Sequence, residues 1–344
     1  MSHIYQAVGW NRQKKIYDAL LALGVVLYIG AFIGLGAVLF PYATAETLMI
    51  RAFGSGAFIL LHVILLIGPL ARINTKFLPL LYNRRHLGVT MFVLALVHGA
   101  LSLIQFHAFG DVNPIISVFT SNGEYDSVTE FPFQSLGFLA LIIFFLMAAT
   151  SHDFWLANLS APVWKALHMM VYVAYGLISM HVFLGFFQTN VDSAYEFIFL
   201  IGFGLVVVAH IVAGRKESPK DHELYSYDDE GYADICFVDD IPEKCAHIAT
   251  LSGERVAIFN FDGKIAALSN VCQHQNGPLG EGKIVDGYVT CPWHGFQYKP
   301  EDGASPEPFT EKIPTFKTKV VNGRVFVHPH PNKAGTPQAP SIIS

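Results

Sequence analysis

Charge is scarce in this chain: Asp, Glu, Lys and Arg make up 14% of its 344 residues, against 52% hydrophobic. That balance excludes a wholly soluble protein. No G-x-G-x-x-G followed by a dinucleotide fold is present, so the sequence shows no nicotinamide or FAD module of its own. Histidine clusters of the H-x-x-H-H or H-x-x-x-H type are missing as well, which removes the ligand set of a membrane di-iron hydroxylase. No internal repeat is apparent, and no nucleic-acid partner is expected.

What charge there is avoids much of the first two thirds. From about Ala19 to Gly214 the sequence is a series of apolar runs, each near the ~20 residues a helix needs to cross a ~30 Å hydrocarbon core. Six spans are expected, at 19–41, 52–72, 87–109, 133–150, 165–187 and 194–214, the fourth being the shortest. Basic residues gather on one side of them: Arg12, Lys14 and Lys15, then Arg72, Lys76, Arg84 and Arg85, then Lys165, then Arg215, Lys216 and Lys220. The opposite loops hold only Arg51, and loop 110–132 carries Asp111, Glu124, Asp126 and Glu130 with no base. The positive excess puts both termini in the cytoplasm. A cleaved signal peptide is the alternative for the first span, because Ala43-Thr44-Ala45 has the small-x-small form, but the apolar stretch is longer than a typical h-region.

The expected organisation is a cytoplasmic N-terminus at 1–18, a six-helix transmembrane domain at 19–214, a linker at 215–231, a small domain at 232–330 and a disordered tail at 331–344, "NKAGTPQAPSIIS" and its neighbours being compositionally loop-like. In the small domain, Asp262-Gly263, Asp286-Gly287 and Asn322-Gly323 each separate two strand-like runs. These dipeptides are hairpin signals because both central positions need positive φ, so the domain is read as antiparallel β. On it sit Cys272-x-His274 and, sixteen residues later, Cys291-x-x-His294, a metal-ligand pattern. Two Cys and two His would also satisfy structural zinc, although one residue between Cys272 and His274 is tighter than the usual zinc-finger gap.

With "GPLGEG" and "CPWHG" around them, these residues resemble the ligand loops of Rieske [2Fe-2S] domains, over roughly 232–330. The resemblance implies that Cys272 and Cys291 hold one iron and His274 and His294 the other, the histidine-bound iron being the one that gains the electron. Quinol-oxidising members carry an extra cysteine in each loop, where this chain has Gly277 and Trp293. The hydroxyl aimed at a bridging sulfur in such proteins is replaced by Phe296, while the expected tyrosine is present as Tyr298. Fewer hydrogen bonds imply a lower potential, closer to the ferredoxins and reductase-linked Rieske domains. Cys236 and Cys245 are read as small buried residues without a role, since a disulfide is not expected in the cytoplasm.

His62, His98, His168 and His181 lie within apolar spans, and His86 stands at a helix start. Ionisable side chains at such positions face a bundle interior or bind something. His107, His152 and His210 fall at span ends, where an interfacial histidine needs no special explanation, and His62 reads more simply as one side of an interhelical hydrogen bond. The stretches "NRRHLGVTMFVLALVHG" and "VWKALHMMVYVAYGLISMHVF" resemble the ferric-reductase-like transmembrane cytochromes, over about 20–214. That resemblance implies a b-type haem held by His98 and His181 toward the outer half, with His168 as the inner-side ligand of the fifth span.

Two-haem members have another histidine fourteen residues before the one matching His98, and that position is Arg84. One haem is the simpler expectation; a second, using His62 or His86, stays open, as does a flavin near Arg84, Arg85 and His168. His168 and His181 are thirteen residues apart, about 20 Å in depth but about 140° around an ideal helix, so without a distortion only one of them faces His98. A π-bulge or a bend at Gly176 would reduce the offset.

Together the two resemblances imply an all-α six-helix membrane bundle followed by a small all-β Rieske domain, in a bacterial inner membrane. A separate cytoplasmic reductase or ferredoxin would feed the [2Fe-2S] cluster, and electrons would pass through haem to an acceptor at the outer face. The alternative is a membrane-anchored Rieske component of a quinol-linked or oxygenase system.

Overall fold

The computed structural model describes residues 12–152, 155, 159, 161–189, 193–221, 224–274, 276–293 and 295–343. Its first part is helical: α1 (Arg12–Leu39), α2 (Ala45–Ile73), a 3-10 stretch (Thr75–Asn83), α3 (Arg84–His107), short α4 (Pro114–Thr120), α5 (Phe133–Ala149), α6 (Ala161–Met169), α7 (Val171–Thr189) and α8 (Ser193–Asp221). Among the described residues, five segments are long and apolar enough to cross a membrane, Lys14–Leu39, Ala45–Ile73, Arg84–His107, Val163–Phe186 and Phe197–Ser218, and Phe133–Ala149 is a shorter apolar helix. The shorter one coincides with the fourth span expected from sequence. The fifth span is interrupted: α6 gives way to α7 at Met170, whose amide donates to the Leu167 carbonyl at 3.1 Å instead of continuing the four-residue ladder. The distortion therefore falls at Met170, six residues before Gly176.

Local chemistry fixes the helix ends. The Thr44 hydroxyl accepts from the Thr47 amide at 3.3 Å at the start of α2, with Glu46 in the first turn and Arg72 in the last, each complementing the helix dipole. Asn113 caps α4 in the same way at 3.0 Å, ahead of Pro114. The apolar residues then sort inversely to a soluble protein. Leu20, Leu23, Val26 and Leu27 of α1 are exposed, as a lipid-facing surface must be, while Leu61, Leu65, Met91, Ala140, Phe144, Ala174, Tyr175 and Val206 form a shared core between α2, α3, α5, α7 and α8.

The second part is all-β, with β1 (Ala233–Phe237), β2 (Ala246–Leu251), β3 (Glu254–Phe261), β4 (Lys264–Ser269), β5 (Lys283–Val285), β6 (Tyr288–Thr290), β7 (Gln297–Tyr298), β8 (Thr315–Phe316), β9 (Thr318–Val321), β10 (Arg324–Val327) and β11 (Ser341–Ile342). They make sheets of order β1-β10-β9, β11-β4-β3-β2 with β8 beside β4, and β5-β6-β7. The three dipeptide turns join β3 to β4, β5 to β6 and β9 to β10, and Asp262, for one, has φ 47° before Gly263 at 69°. The tail departs from the expected disorder. Its Ser341 and Ile342 pair with Ile265 and Lys264, and the Gln338 amide donates to the Glu301 carbonyl at 2.6 Å, so an exposed edge of β4 is covered.

Candidate haem pair and iron-sulfur site

His98 projects from α3 and His181 from α7 into the bundle, where their ring centroids are 6.2 Å apart with planes at 80°. The two rings are anchored from behind alike. His98 Nδ1 donates to the Ile50 carbonyl of α2 at 2.9 Å, and His181 Nδ1 donates to the Phe133 carbonyl at the start of α5 at 2.8 Å. A ring whose Nδ1 donates to a carbonyl presents its other nitrogen as a lone pair, the tautomer that a metal requires. One metal ion held by two ring nitrogens at about 2 Å each places the centroids about 6 Å apart. The pair therefore fits a bis-imidazole haem iron.

The other histidines are engaged elsewhere. His168 Nδ1 lies 3.0 Å from the Trp164 carbonyl, its ring stacks on Trp164 at 3.7 Å, and its Nε2 lies 3.3 Å from the Ser151 hydroxyl beyond the end of α5. It does not join His98 and His181. His62 contacts the Phe58 carbonyl at 2.9 Å and the Tyr175 hydroxyl at 3.1 Å, and His86 pairs with Asp18 of α1. His107 is held between Ser117 and Gln134, and His210 between the Val206 carbonyl and Tyr172. Among the described residues of the bundle, His98 and His181 alone set two imidazoles against each other.

In the β domain the two ligand loops close identically. The Cys272 amide donates to the Gly277 carbonyl at 2.9 Å while the Asn276 amide returns to the Cys272 carbonyl at 2.7 Å. The Cys291 amide donates to Phe296 at 2.8 Å and the Gly295 amide returns to Cys291 at 2.9 Å. Asn276 and Gly295 both take positive φ, 58° and 71°, which turns each loop back on itself. The loops meet at the sulfurs: a Cβ on Gly277 would stand 2.7 Å from Cys291 Sγ.

Both thiols are buried, His274 Nδ1 is buried with its ring stacked on Phe296 at 5.0 Å, and His294 lies outside the described residues. Two buried sulfurs and an imidazole carried on paired loops are the donor set that fits an iron-sulfur cluster. Cys236 and Cys245 are not joined in a disulfide.

Tyr298 lies behind Cys272, its hydroxyl 3.3 Å from the Cys272 sulfur and accepting from the Gln273 amide at 3.0 Å. Burial first, and then the Cys272 sulfur, push its phenol up, so the proton stays on oxygen and is available to that sulfur. A hydrogen bond to a charged group is worth roughly 1.5–3 kcal/mol, and about 1.4 kcal/mol is ~60 mV for one electron. Tyr298→Phe should lower the cluster midpoint potential by at least about 60 mV in a redox titration, whereas an unchanged potential shows the hydroxyl to be idle.

Both loops face the positively charged end of the bundle. The Trp293 ring, within the second loop, lies 5.4 Å from the Arg84 guanidinium at the start of α3. Glu281, four residues past Gly277, pairs with Arg72 of α2 at 3.7 Å, and Arg255 of β3 pairs with Glu217 of α8 at 3.0 Å. Lys216 of α8 donates to the Ile73 carbonyl at 2.7 Å, closing the same junction from the helical side. Nothing in the sequence marks these contacts or the backbone acceptors at Ile50 and Phe133. A carbonyl has no sequence signature, and by sequence Trp293 stands out only as the residue in place of a cysteine.

Comparison with known proteins agrees with this division. Residues 53–179 match the family described as ferric reductase like transmembrane component, and residues 231–317 match the Rieske [2Fe-2S] domain. The ferredoxin component of the alkene monooxygenase system of Xanthobacter autotrophicus is 30% identical over 105 residues, covering 30% of this chain and 86% of that protein. Cholesterol 7-desaturase nvd of Xenopus laevis is 35% identical over 99 residues, but this match covers only 22% of its length and 26% of this chain. Among solved structures, the ferredoxin of carbazole 1,9a-dioxygenase from Nocardioides aromaticivorans IC177 matches at 19% identity and a TM-score of 0.28, over 29% of this chain and 98% of that one. The chain belongs to the Rieske [2Fe-2S] family, and its Rieske domain is joined to a ferric-reductase-like transmembrane component.

Proposed function

We propose that this chain conducts electrons across a bacterial inner membrane, from a cytoplasmic ferredoxin or reductase to an acceptor at the outer face. The observation that supports it most is the alignment of two metal-fitting sites in one molecule: the cluster loops rest on the basic end of the bundle, and the His98–His181 pair lies within it. Bound there, a [2Fe-2S] cluster and a b haem each accept and release single electrons.

The residues divide the work. Cys272, Cys291, His274 and His294 hold the cluster, with Tyr298 supplying a proton toward one thiolate. His98 and His181 hold a single haem and are kept in one tautomer by the Ile50 and Phe133 carbonyls. Apolar packing from Leu61, Met91, Phe144 and Val206 excludes water below that pair. Arg84 lies against Trp293, and His168 is held by Trp164 and Ser151, so we assign neither to a second haem or a flavin. On this reading the end that carries the basic residues at 12–15, 72–85, 165 and 215–220 faces the cytoplasm.

Purified protein with both signals, mixed rapidly with a reduced ferredoxin, should show the cluster reduced first and the haem Soret band shifting afterwards. A Soret band that never responds while the cluster is reduced overturns the proposal. The ferredoxin relatives' names favour a second reading, in which the domain serves an oxygenase and the helices anchor it. Purified protein with a Rieske signal and no haem would select that reading.

A further inference from the structure

The haem pair is built twice from one pattern. Adding 83 to Ile50, Gly54 and His98 gives Phe133, Gly137 and His181. Both histidines thus donate to a carbonyl forty-eight residues earlier, on the helix packed beside their own. The same offset relates buried positions of the two helix pairs: Ala52 to Ser135, Ala57 to Ala140, Leu61 to Phe144 and Met91 to Ala174. The correspondence places Arg85 opposite His168, so the inner level lacks a matching pair of imidazoles.

One helical turn beyond each accepting carbonyl stands a glycine, and the ligand ring lies directly on it. A Cβ at Gly54 would be 2.7 Å from His98 Nδ1 and 2.9 Å from its Cε1; one at Gly137 would be 2.9 Å from both atoms of His181. Real Cβ contacts do not come so near, and neither ring can retreat without stretching its 2.9 or 2.8 Å bond to the carbonyl. In a regular helix the carbonyl also accepts from the amide four residues on, so the ring must approach over that residue to reach the remaining lone pair. Only a residue without a side chain leaves the slot open.

We propose that Gly54 and Gly137 are positioning residues for the haem ligands, one in each half of a two-fold repeated socket. Each lets an imidazole lie flat on the neighbouring helix backbone while the carbonyl one turn earlier holds its Nδ1–H, and together they set the separation and planes of the ligand rings. The inference rests on the haem reading above.

The test is Gly54→Ala and Gly137→Ala in the full chain, with haem per Rieske cluster as the occupancy measure and the low-spin haem electron paramagnetic resonance signal as the geometric one. Each variant should lose at least half of the low-spin signal, or convert it to high spin, at unchanged cluster content. Gly202→Ala crowds His62 Nε2 at 3.1 Å and should leave the haem spectrum as it is. A second measurement covers poor folding: in a His98→Ala background the added Gly54→Ala should cost no further thermal stability, because the ring it strikes is gone. Wild-type low-spin haem in both glycine variants overturns the inference, as does an equal stability loss with and without His98. Wild-type protein without haem defeats the underlying reading instead, and the two failures are thus distinct.

Discussion

Replacing His98 or His181 by alanine removes most of the haem absorbance from the purified protein and leaves the cluster's paramagnetic signal at full strength. The two rings stand 6.2 Å apart at their centroids, each held from behind, so neither has a neighbouring imidazole able to replace it. Loss of an outer hydrogen-bond partner to a ligand costs roughly 10–100-fold in metal affinity, and loss of the ligand itself costs more. The cluster loops lie in the β domain and depend on neither residue. His168→Ala is the informative companion, because that ring is engaged with Trp164 and Ser151; it should retain the haem. Retention of haem in both His98→Ala and His181→Ala, or its loss in His168→Ala alone, defeats the assignment.

The sequence made the order of elements legible because hydropathy and turn chemistry are local. Six apolar runs and three Asp-Gly or Asn-Gly turns suffice for a bundle followed by hairpins, and the ligand loops announce themselves by Cys and His spacing. Three things were not legible. The tail from Pro331 is Pro-, Ala- and Gly-containing and reads as loop, yet Ser341–Ile342 gains order by covering an edge strand that is distant in sequence. The break at Met170 has no proline or glycine to mark it; it became visible only with the displaced Leu167 bond. The repeat escaped because its identities are few and scattered, Gly54 with Gly137, Ala57 with Ala140 and His98 with His181, while Ile50 and Phe133 share only a backbone carbonyl and Leu61 and Phe144 only burial. On an ideal helix one of His168 and His181 had to face away, and the fold decides between them by giving Phe133 to His181.

Trp293→Ala should uncouple the two parts of the molecule, and because Trp293 lies within the second ligand loop the cluster signal of the variant is measured alongside. Among the described residues, three side-chain contacts join the β domain to the charged end of the bundle beside the packing of α8 on β2, and they are not equal. Arg255–Glu217 lies to one side, at 3.0 Å between β3 and α8. Arg72–Glu281 spans 3.7 Å with the arginine 41% exposed, so screening limits it to about 0–1 kcal/mol. Burial, the largest influence on Glu281, pushes its carboxyl above the ordinary 4.5 despite Arg72, which means the charged form costs more in desolvation than its arginines return. Its contribution to docking is then full below the ordinary value and declines as pH rises through the raised one. Glu281→Gln should therefore dock at neutral pH at least as well as the parent and flatten the pH dependence of docking from 4.5 upward. Arg84 is desolvated by burial as well, but Trp293 brings no second charge out of water, and a desolvated cation–π contact is worth about 1–2 kcal/mol, or about a 5–30-fold change in the docked-to-undocked ratio. Flash reduction of the cluster, followed at the Soret band, reads that ratio as the fraction of molecules whose haem responds in the fast phase. Trp293→Ala should shrink this fraction and Glu281→Gln should not; the reverse pattern makes the ion pair, and not the indole against the guanidinium, the contact that holds the domains together.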